Sequence, residues 1–371
     1  MKITCDREQL LHAYQTVSSV APARSPKPIL QNVKLEAGDG GVFLSATDLE
    51  VGIRHVVTGV EIHSPGALIL PVARFGSILR ESADKVLRLE SDGTGIVVLG
   101  ERSKFQLPAE NPAEFPTVAP FEETSFFETS ARLLRELIRR TVFATDNESS
   151  RYALGGVKLE FGDKEVTAVG TDGRRLAKMT GPISLHGQPG GGPANTIVPT
   201  RAMQLIERAV SPTDSEVQLA IRGNEFLVRS PRAVISARLL EGRFPEWRRV
   251  FPESGAAEQI DLSVSQTHTA VRQAAIVTSE ESRGIDFTFG GGALVLAGKA
   301  AEVGQARVEL PIAYNGREIS ITLDPRFVVD FLKVLDADKS FTMELRDGDS
   351  AAVAKTDDGY GYVIMPLSRE R

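Results

Sequence analysis

The stretch Thr171-Asp172-Gly173-Arg174-Arg175-Leu176-Ala177 sits near the middle of a chain of 371 residues. It follows an alternating run, Glu165-Val166-Thr167-Ala168-Val169, which reads as a strand with one buried face. Gly173 marks a tight turn, because a residue without a Cβ takes φ > 0 at no steric cost. The strand resumes through Arg175, Leu176 and Ala177, so the stretch is a hairpin tip. A tip needs polar residues, but it does not need two guanidinium groups beside a leucine.

Working outward, the hairpin belongs to a unit that occurs three times. Leu154-Gly155-Gly156-Val157-Lys158-Leu159-Glu160-Phe161 stands beside Leu30-Gln31-Asn32-Val33-Lys34-Leu35-Glu36-Ala37. Glu165–Gly170 matches Gly41–Ala46, and Thr171-Asp172 matches Thr47-Asp48. Second helices start at Pro71, Pro199 and Asp324, at a near-constant spacing close to a third of the chain, and Phe115-Pro116 and Phe244-Pro245 close the first two units. Helices are expected at Asp6–Ser19, Val72–Ser82, Thr129–Ala144, Thr200–Val210, Ser265–Thr278 and Arg326–Leu335, with sequential strands between them. That order predicts an α+β fold of three similar domains, each with two helices on antiparallel sheet, at 1–122, 123–249 and 250–371. Glu110–Thr124 and Arg248–Gln259 read as linkers, and Gly187–Pro193 as a loop.

Bulk properties narrow the function. A 42% hydrophobic and 25% charged composition is that of a soluble globular protein. The net charge of −6 argues against coating nucleic acid or an anionic membrane with the whole surface, yet 43 Lys and Arg leave room for a local basic face. Cys5 is the only cysteine, which excludes an internal disulfide and a CxxC pair. The N-terminus lacks a signal-peptide core and no window resembles a membrane helix, so a cytoplasmic location and no membrane partner are expected.

Catalytic signals are missing. Gly187-Gln188-Pro189-Gly190-Gly191-Gly192-Pro193 has no following Lys-Ser/Thr and reads as a surface loop rather than a phosphate cradle. The five histidines show no metal-ligand spacing, so no metal and no cofactor is expected. No nucleophile elbow or acid/base pair stands out, and the chain is not expected to be an enzyme. The helices carry more. Arg132, Arg135 and Arg139 lie at i, i+3 and i+7, and Arg201 and Arg208 on the next helix are also seven apart. Arg74 and Arg80 in unit one, and His268, Arg272, Arg326 and Lys333 in unit three, extend the pattern. One such stripe is ordinarily a solvated face; recurrence in an acidic protein favours a surface that attracts phosphates without reading bases. The strand Tyr360-Gly361-Tyr362-Val363-Ile364-Met365-Pro366-Leu367 reads either as a buried last strand or as one wall of an adaptable apolar pocket for a peptide.

These residues resemble one family over the whole chain, the bacterial sliding DNA clamp, the beta subunit of DNA polymerase III. The resemblance rests on the three repeats, Arg24 before Pro28-Ile29-Leu30, and Thr47-Asp48-Leu49-Glu50. Arg151-Tyr152, the heptad at Thr171, Gly242-Arg243-Phe244-Pro245, Arg248-Arg249-Val250 and Val363-Ile364-Met365-Pro366 complete it. It implies a clamp fold assembled as a head-to-tail homodimeric ring around duplex DNA, without sequence specificity. Such a ring is a processivity factor that tethers the polymerase III alpha subunit, the clamp loader and other proteins with a clamp-binding motif. DNA contacts carry over to Arg24, Arg74, Tyr152 and Arg201. The partner-peptide cleft carries over to Leu154, Thr171, Gly173, Arg174, Arg175, Leu176, Pro245, Val250, Val363, Met365, Pro366 and Leu367. The dimer interface carries over to Phe105 and Leu107 against Ile276 and Val277. Glu148 stands where the family's best-known example has a loop glutamine that touches DNA, and Arg174 where that example has a histidine. The rivals are an enzyme of nucleic-acid metabolism on the same repeat, and a scaffold that uses only the C-terminal groove.

Overall fold

The structure is a computed structural model that describes residues 1–91, 95–146, 148, 153–187, 196–251, 257–279 and 283–367. It is a three-domain α+β fold. The first repeat runs β1 (Lys2–Asp6), α1 (Arg7–Ser18), β2 (Asn32–Gly38), β3 (Gly41–Thr47), β4 (Val51–Val57), β5 (Val60–Ser64), β6 (Gly66–Pro71), α2 (Val72–Glu81), β7 (Val86–Ser91), β8 (Gly95–Leu99) and β9 (Lys104–Pro108). The second runs β10 (Phe126–Ser130), α3 (Ala131–Arg139), β11 (Gly156–Phe161), β12 (Glu165–Thr171), β13 (Arg175–Pro182), β14 (Ser184–His186), β15 (Thr196–Pro199), α4 (Thr200–Ala209), β16 (Glu216–Arg222), β17 (Glu225–Arg229) and β18 (Ala233–Arg238). A short helix, α5 (Trp247–Val250), precedes the third: β19 (Glu258–Ser263), α6 (Val264–Ala274), β20 (Ile285–Gly290), β21 (Ala293–Ala300), β22 (Gly304–Pro311), β23 (Ile319–Leu323), α7 (Pro325–Lys333), β24 (Ser340–Leu345), β25 (Ala352–Lys355) and β26 (Tyr360–Ile364).

The chain forms two compact units, residues 1–135 with 183–239, and 136–182 with 240–371. In the first, one sheet has the order β5-β1-β7-β8-β9 and a second the order β14-β10-β16-β17-β18-β4-β3-β2-β6. In the second, strands run β11-β12-β13-β26-β25-β24-β19, and a further sheet runs β22-β21-β20-β23. The units follow from how strands are shared. β4 pairs with β18, so the hairpin of repeat one continues into the last strand of repeat two. β13 pairs in the same antiparallel sense with β26, the last strand of repeat three.

Local chemistry accounts for the helices. Asp6 accepts from the Gln9 N–H and caps α1, as its position predicts. Leu10, Tyr14 and Val17 are buried, and Tyr14 packs edge-on against Phe75 of α2 with ring centroids 5.1 Å apart. Each such buried apolar side chain is worth roughly 1.5–3 kcal/mol. Two expectations need correction. The helix expected from Thr129 to Ala144 is shorter, because Phe126–Ser130 is a strand and α3 ends at Arg139. There the Thr141 hydroxyl donates to the Leu137 carbonyl at 2.5 Å and the chain tightens into a 3-10 turn over Val142–Ala144. The linker expected at Arg248 instead begins inside α5. Most of the loop expected at Gly187–Pro193 lies outside the described residues.

Candidate functional site

The Thr171 turn is closed by its own side chains. The Thr171 hydroxyl donates to the Arg175 carbonyl at 2.7 Å and accepts from the Gly173 N–H at 3.1 Å. Asp172 Oδ1 accepts from the N–H groups of Arg174 and Arg175 at 2.9 and 3.0 Å. Gly173 has φ 86°, the left-handed value its lack of a Cβ permits. The Thr-Asp pair therefore builds the tip, as Asx and Thr turns do.

Arg175 is a strut. Its Nε donates to Asp172 Oδ2 at 3.1 Å, and its terminal nitrogens donate to Asp330 of α7 at 2.7 Å and to the Phe143 carbonyl at 2.9 Å. The guanidinium also lies 4.4 Å from the Phe327 ring centroid. Burial disfavours its charge, yet Tyr362, Asp330 and Asp172 together hold it more firmly protonated than a free arginine. Arg140, which the sequence reading passed over, is a second buried strut, reaching Glu136 at 2.8 Å and Asp358 at 2.6 Å.

With the tip fixed, β13 and β26 lie in register, Arg175 opposite Ile364 and Leu176 opposite Val363, and the Met365 N–H extends the ladder to the Arg174 carbonyl at 2.9 Å. Beside them opens a cavity of about 380 Å³ lined by Leu154, Thr171, Gly173, Arg174, Arg175, Leu176, Pro245, Trp247, Val250, Val363 and Met365. Its lining brings together ten of the twelve expected cleft residues and adds Trp247. Pro366 and Leu367 are not in the lining. The Leu367 N–H donates to the Thr322 carbonyl at 2.9 Å, which turns the chain away toward β23. Val250 and Met365 are exposed, the signature of an apolar surface without a partner in the chain.

The arginine stripes are less uniform than their spacing suggests. Arg24, Arg74, Arg132 and Arg208 are exposed and make no ion pair among the described residues. Arg135 instead donates to the carbonyls of Glu207 and Val210 and closes the C-terminal end of α4. Arg139 pairs with Glu136 at 2.9 Å, and Arg201 with Asp48 at 2.6 Å. Tyr152 lies outside the described residues, and Glu148 is exposed. In repeat three, partial burial and the charges of Arg272 and Lys333 lower the pKa of His268, so cations of α6 and α7 do face one place.

β9 and β22 are edge strands of their sheets. β9 pairs only with β8, and β22 only with β21, among the described residues. Phe105 on β9 and Ile276 after α6 are exposed, Ile276 to 75%, and Val277 is half-buried. Leu107, expected beside Phe105 at an interface, is buried, although residues two apart on β9 share a face. Among the described residues no group of three or more His, Cys, Asp or Glu is placed to hold a metal ion, and no helix is long and apolar enough to cross a membrane.

Three family models match the chain in succession. These are the N-terminal domain of the DNA polymerase III beta subunit over residues 1–119, its central domain over 128–246 and its C-terminal domain over 248–368. The chain is 30% identical to the beta sliding clamp of Escherichia coli K12, covering 99% of this chain and 100% of the relative. It is 29% identical to that of Chlamydia pneumoniae, covering 99% of each. A solved Pseudomonas aeruginosa sliding clamp bound to griselimycin superposes with a TM-score of 0.88 at 28% identity, covering 99% of each chain.

Proposed function

Since the chain belongs to the DNA polymerase III beta subunit family, we propose that it is a processivity factor, a ring that encircles duplex DNA and holds a polymerase to it. One observation carries the reading. Twice the hairpin strand of one repeat pairs with the last strand of the next, β4 with β18 and β13 with β26, and β22 is the hairpin strand left without such a partner. The last strand of repeat one, β9, has the matching open edge. A second copy supplies what each lacks. Two head-to-tail contacts close a ring if each spans a half-turn, and the β9 and β22 edges are then both covered. Phe105 and Ile276 support this seam, with Val277 beside them.

In that ring the domains are 1–122, 123–249 and 250–371. The loop cation Arg24 and the helix cations Arg74, Arg132, Arg208, Arg272 and Lys333 face phosphates and release counterions, a contact blind to base sequence. Arg201 joins them only if it leaves Asp48. A closed ring cannot leave duplex DNA sideways, so weak contacts suffice and sliding stays fast. The cleft beside β13 and β26 takes an extended apolar peptide from the polymerase III alpha subunit, the clamp loader or other proteins, and tethering raises the polymerase's effective concentration at the primer end. The protein carries out no bond chemistry in this reading, and it works where bacterial DNA lies, in the cytoplasm.

A primed circular DNA assay tests this. With a clamp loader and ATP, the protein should stay on closed circles and leave within minutes of linearisation. Equal loss from circles and linear DNA would end the ring reading, and turnover of nucleotide by the purified chain alone would favour an enzyme.

A further inference from the structure

Trp247 is the chain's only tryptophan. It opens α5 and is 6% exposed, with that remainder turned into the cavity between Pro245 and Val250. Its indole N–H donates to Glu160 Oε1 on β11 at 3.1 Å. A buried indole needs such an acceptor, and here the acceptor is charged. Glu160 does not line the cavity. It is a hub, because the same carboxylate takes Lys158 at 3.0 Å and both terminal nitrogens of Arg248, at 3.3 and 2.6 Å. The Arg248 guanidinium in turn lies over the indole, 4.5 Å from its centroid, and the Lys178 ammonium stands 5.9 Å from it. The ring is thus held at its N–H by Glu160 and on its face by an arginine that Glu160 also holds.

We propose that Trp247 is a specificity-determining residue of the cleft and that Glu160 is its positioning residue. The edge of the indole forms an apolar floor for an aliphatic or aromatic side chain of an extended peptide. Glu160 sets the tilt of that floor and, through Arg248, pins α5 so that Pro245 and Val250 stand at the cavity wall. The arginine nearest the floor is neutralised by Glu160, which suits an uncharged side chain at this place. The inference rests on the reading of the cavity as a peptide cleft, and the test separates the two.

Griselimycin serves as the probe, with binding followed by calorimetry and by the emission of Trp247, which no other tryptophan obscures. The wild-type emission should shift on binding. Val250→Glu, at an exposed wall position, should abolish binding. Glu160→Ala should weaken binding by about tenfold, by freeing the anchor Trp247 from its place. Glu160→Gln, which keeps an acceptor for the indole, should recover most of that loss. Trp247→Phe, which keeps an apolar ring without the N–H, should weaken binding and respond less to Glu160→Ala than the wild type does; it also serves if Glu160→Ala alone fails to fold. A probe that ignores Val250→Glu, or does not bind the wild type, overturns the cleft reading and this inference with it. A probe abolished by Val250→Glu but indifferent to Glu160→Ala and Trp247→Phe, with unchanged emission, overturns this inference alone.

Discussion

The Thr47 turn and the Thr171 turn are built from the same hydrogen bonds. Thr47 donates to the Val51 carbonyl at 2.9 Å and accepts from the Leu49 N–H at 2.9 Å, and Asp48 Oδ1 accepts from the Glu50 and Val51 N–H groups at 3.0 and 2.7 Å. Each turn borders a groove of nearly equal size, about 370 Å³ beside Thr47 and about 380 Å³ beside Thr171. The contents differ. The first groove mixes polar residues, among them Glu50, Asn224, Glu225 and Arg238, with apolar ones such as Val51 and Val118, and Leu49 lines it at the turn with φ 77°. The second has Gly173 at the same turn position, and leucine, valine, methionine and tryptophan around it. The repeat therefore supplies a groove wherever a hairpin meets the next repeat's last strand, and side chains alone make one of them a site.

The anchors of the two turns offer the hardest test. Asp172 is held by Arg175, whose side chain is only 10% exposed and satisfies two carboxylates, whereas Asp48 is held by Arg201, which is half exposed. Arg175→Ala should cost about 3 kcal/mol, because it strands buried charge. Arg201→Ala should cost no more than about 1 kcal/mol. Equal shifts in urea midpoint would show that the two turns are anchored alike. The exchange of turn residues comes next. Gly173→Leu has to adopt a left-handed conformation, at about 1–2 kcal/mol, and places a side chain at the cleft mouth, so probe affinity should also fall. The reverse change, Leu49→Gly, should relieve strain and leave probe affinity untouched. If Gly173→Leu bound the probe as well as the wild type, the open mouth would not distinguish the grooves.

The smallest effect expected is on acid stability. Burial raises the Glu160 carboxyl, but hydrogen bonds from Lys158, Trp247 and Arg248 outweigh it and leave the group below its ordinary 4.5. A carboxyl lowered by folding contributes stability that is fully present above its unfolded value and is lost as pH falls through its folded value. The acid limb of a denaturation profile should therefore flatten in Glu160→Gln below pH 4.5, with a small, pH-independent loss of stability near neutrality. An unchanged acid limb would mean that the hub does not act through its charge.

Much of this was legible in the sequence, because repeats and turns write themselves locally. Thr47-Asp48 and Thr171-Asp172 gave the hairpins, and ten cleft positions followed from motifs. Partners across the chain were not legible. Spacing put Arg135 and Arg201 on helix faces, but only the fold reveals the α4 carbonyls and the Asp48 carboxylate that receive them. Phe126-Phe127-Glu128-Thr129-Ser130 lacks alternation, so no strand is legible there and its last two residues read as the start of the following helix. Trp247 had a signal, a lone tryptophan between Pro245 and Val250, both of which were expected at the cleft. Its acceptor had none, since Glu160 sits in a strand whose charges look like ordinary surface residues.

The pairing of β13 with β26 also sets a schedule for synthesis. Arg175 meets Tyr362 across 187 positions of sequence, a stretch that a ribosome takes roughly 10–40 s to make. During that interval β13 is an open edge and the cleft has only one wall. A nascent chain thus cannot capture a cleft-binding partner before its last described strand has emerged. A chain cut short before Tyr360 would expose the β13 edge to pairing with other chains. Emergence of β26 and competence to bind are the same event here.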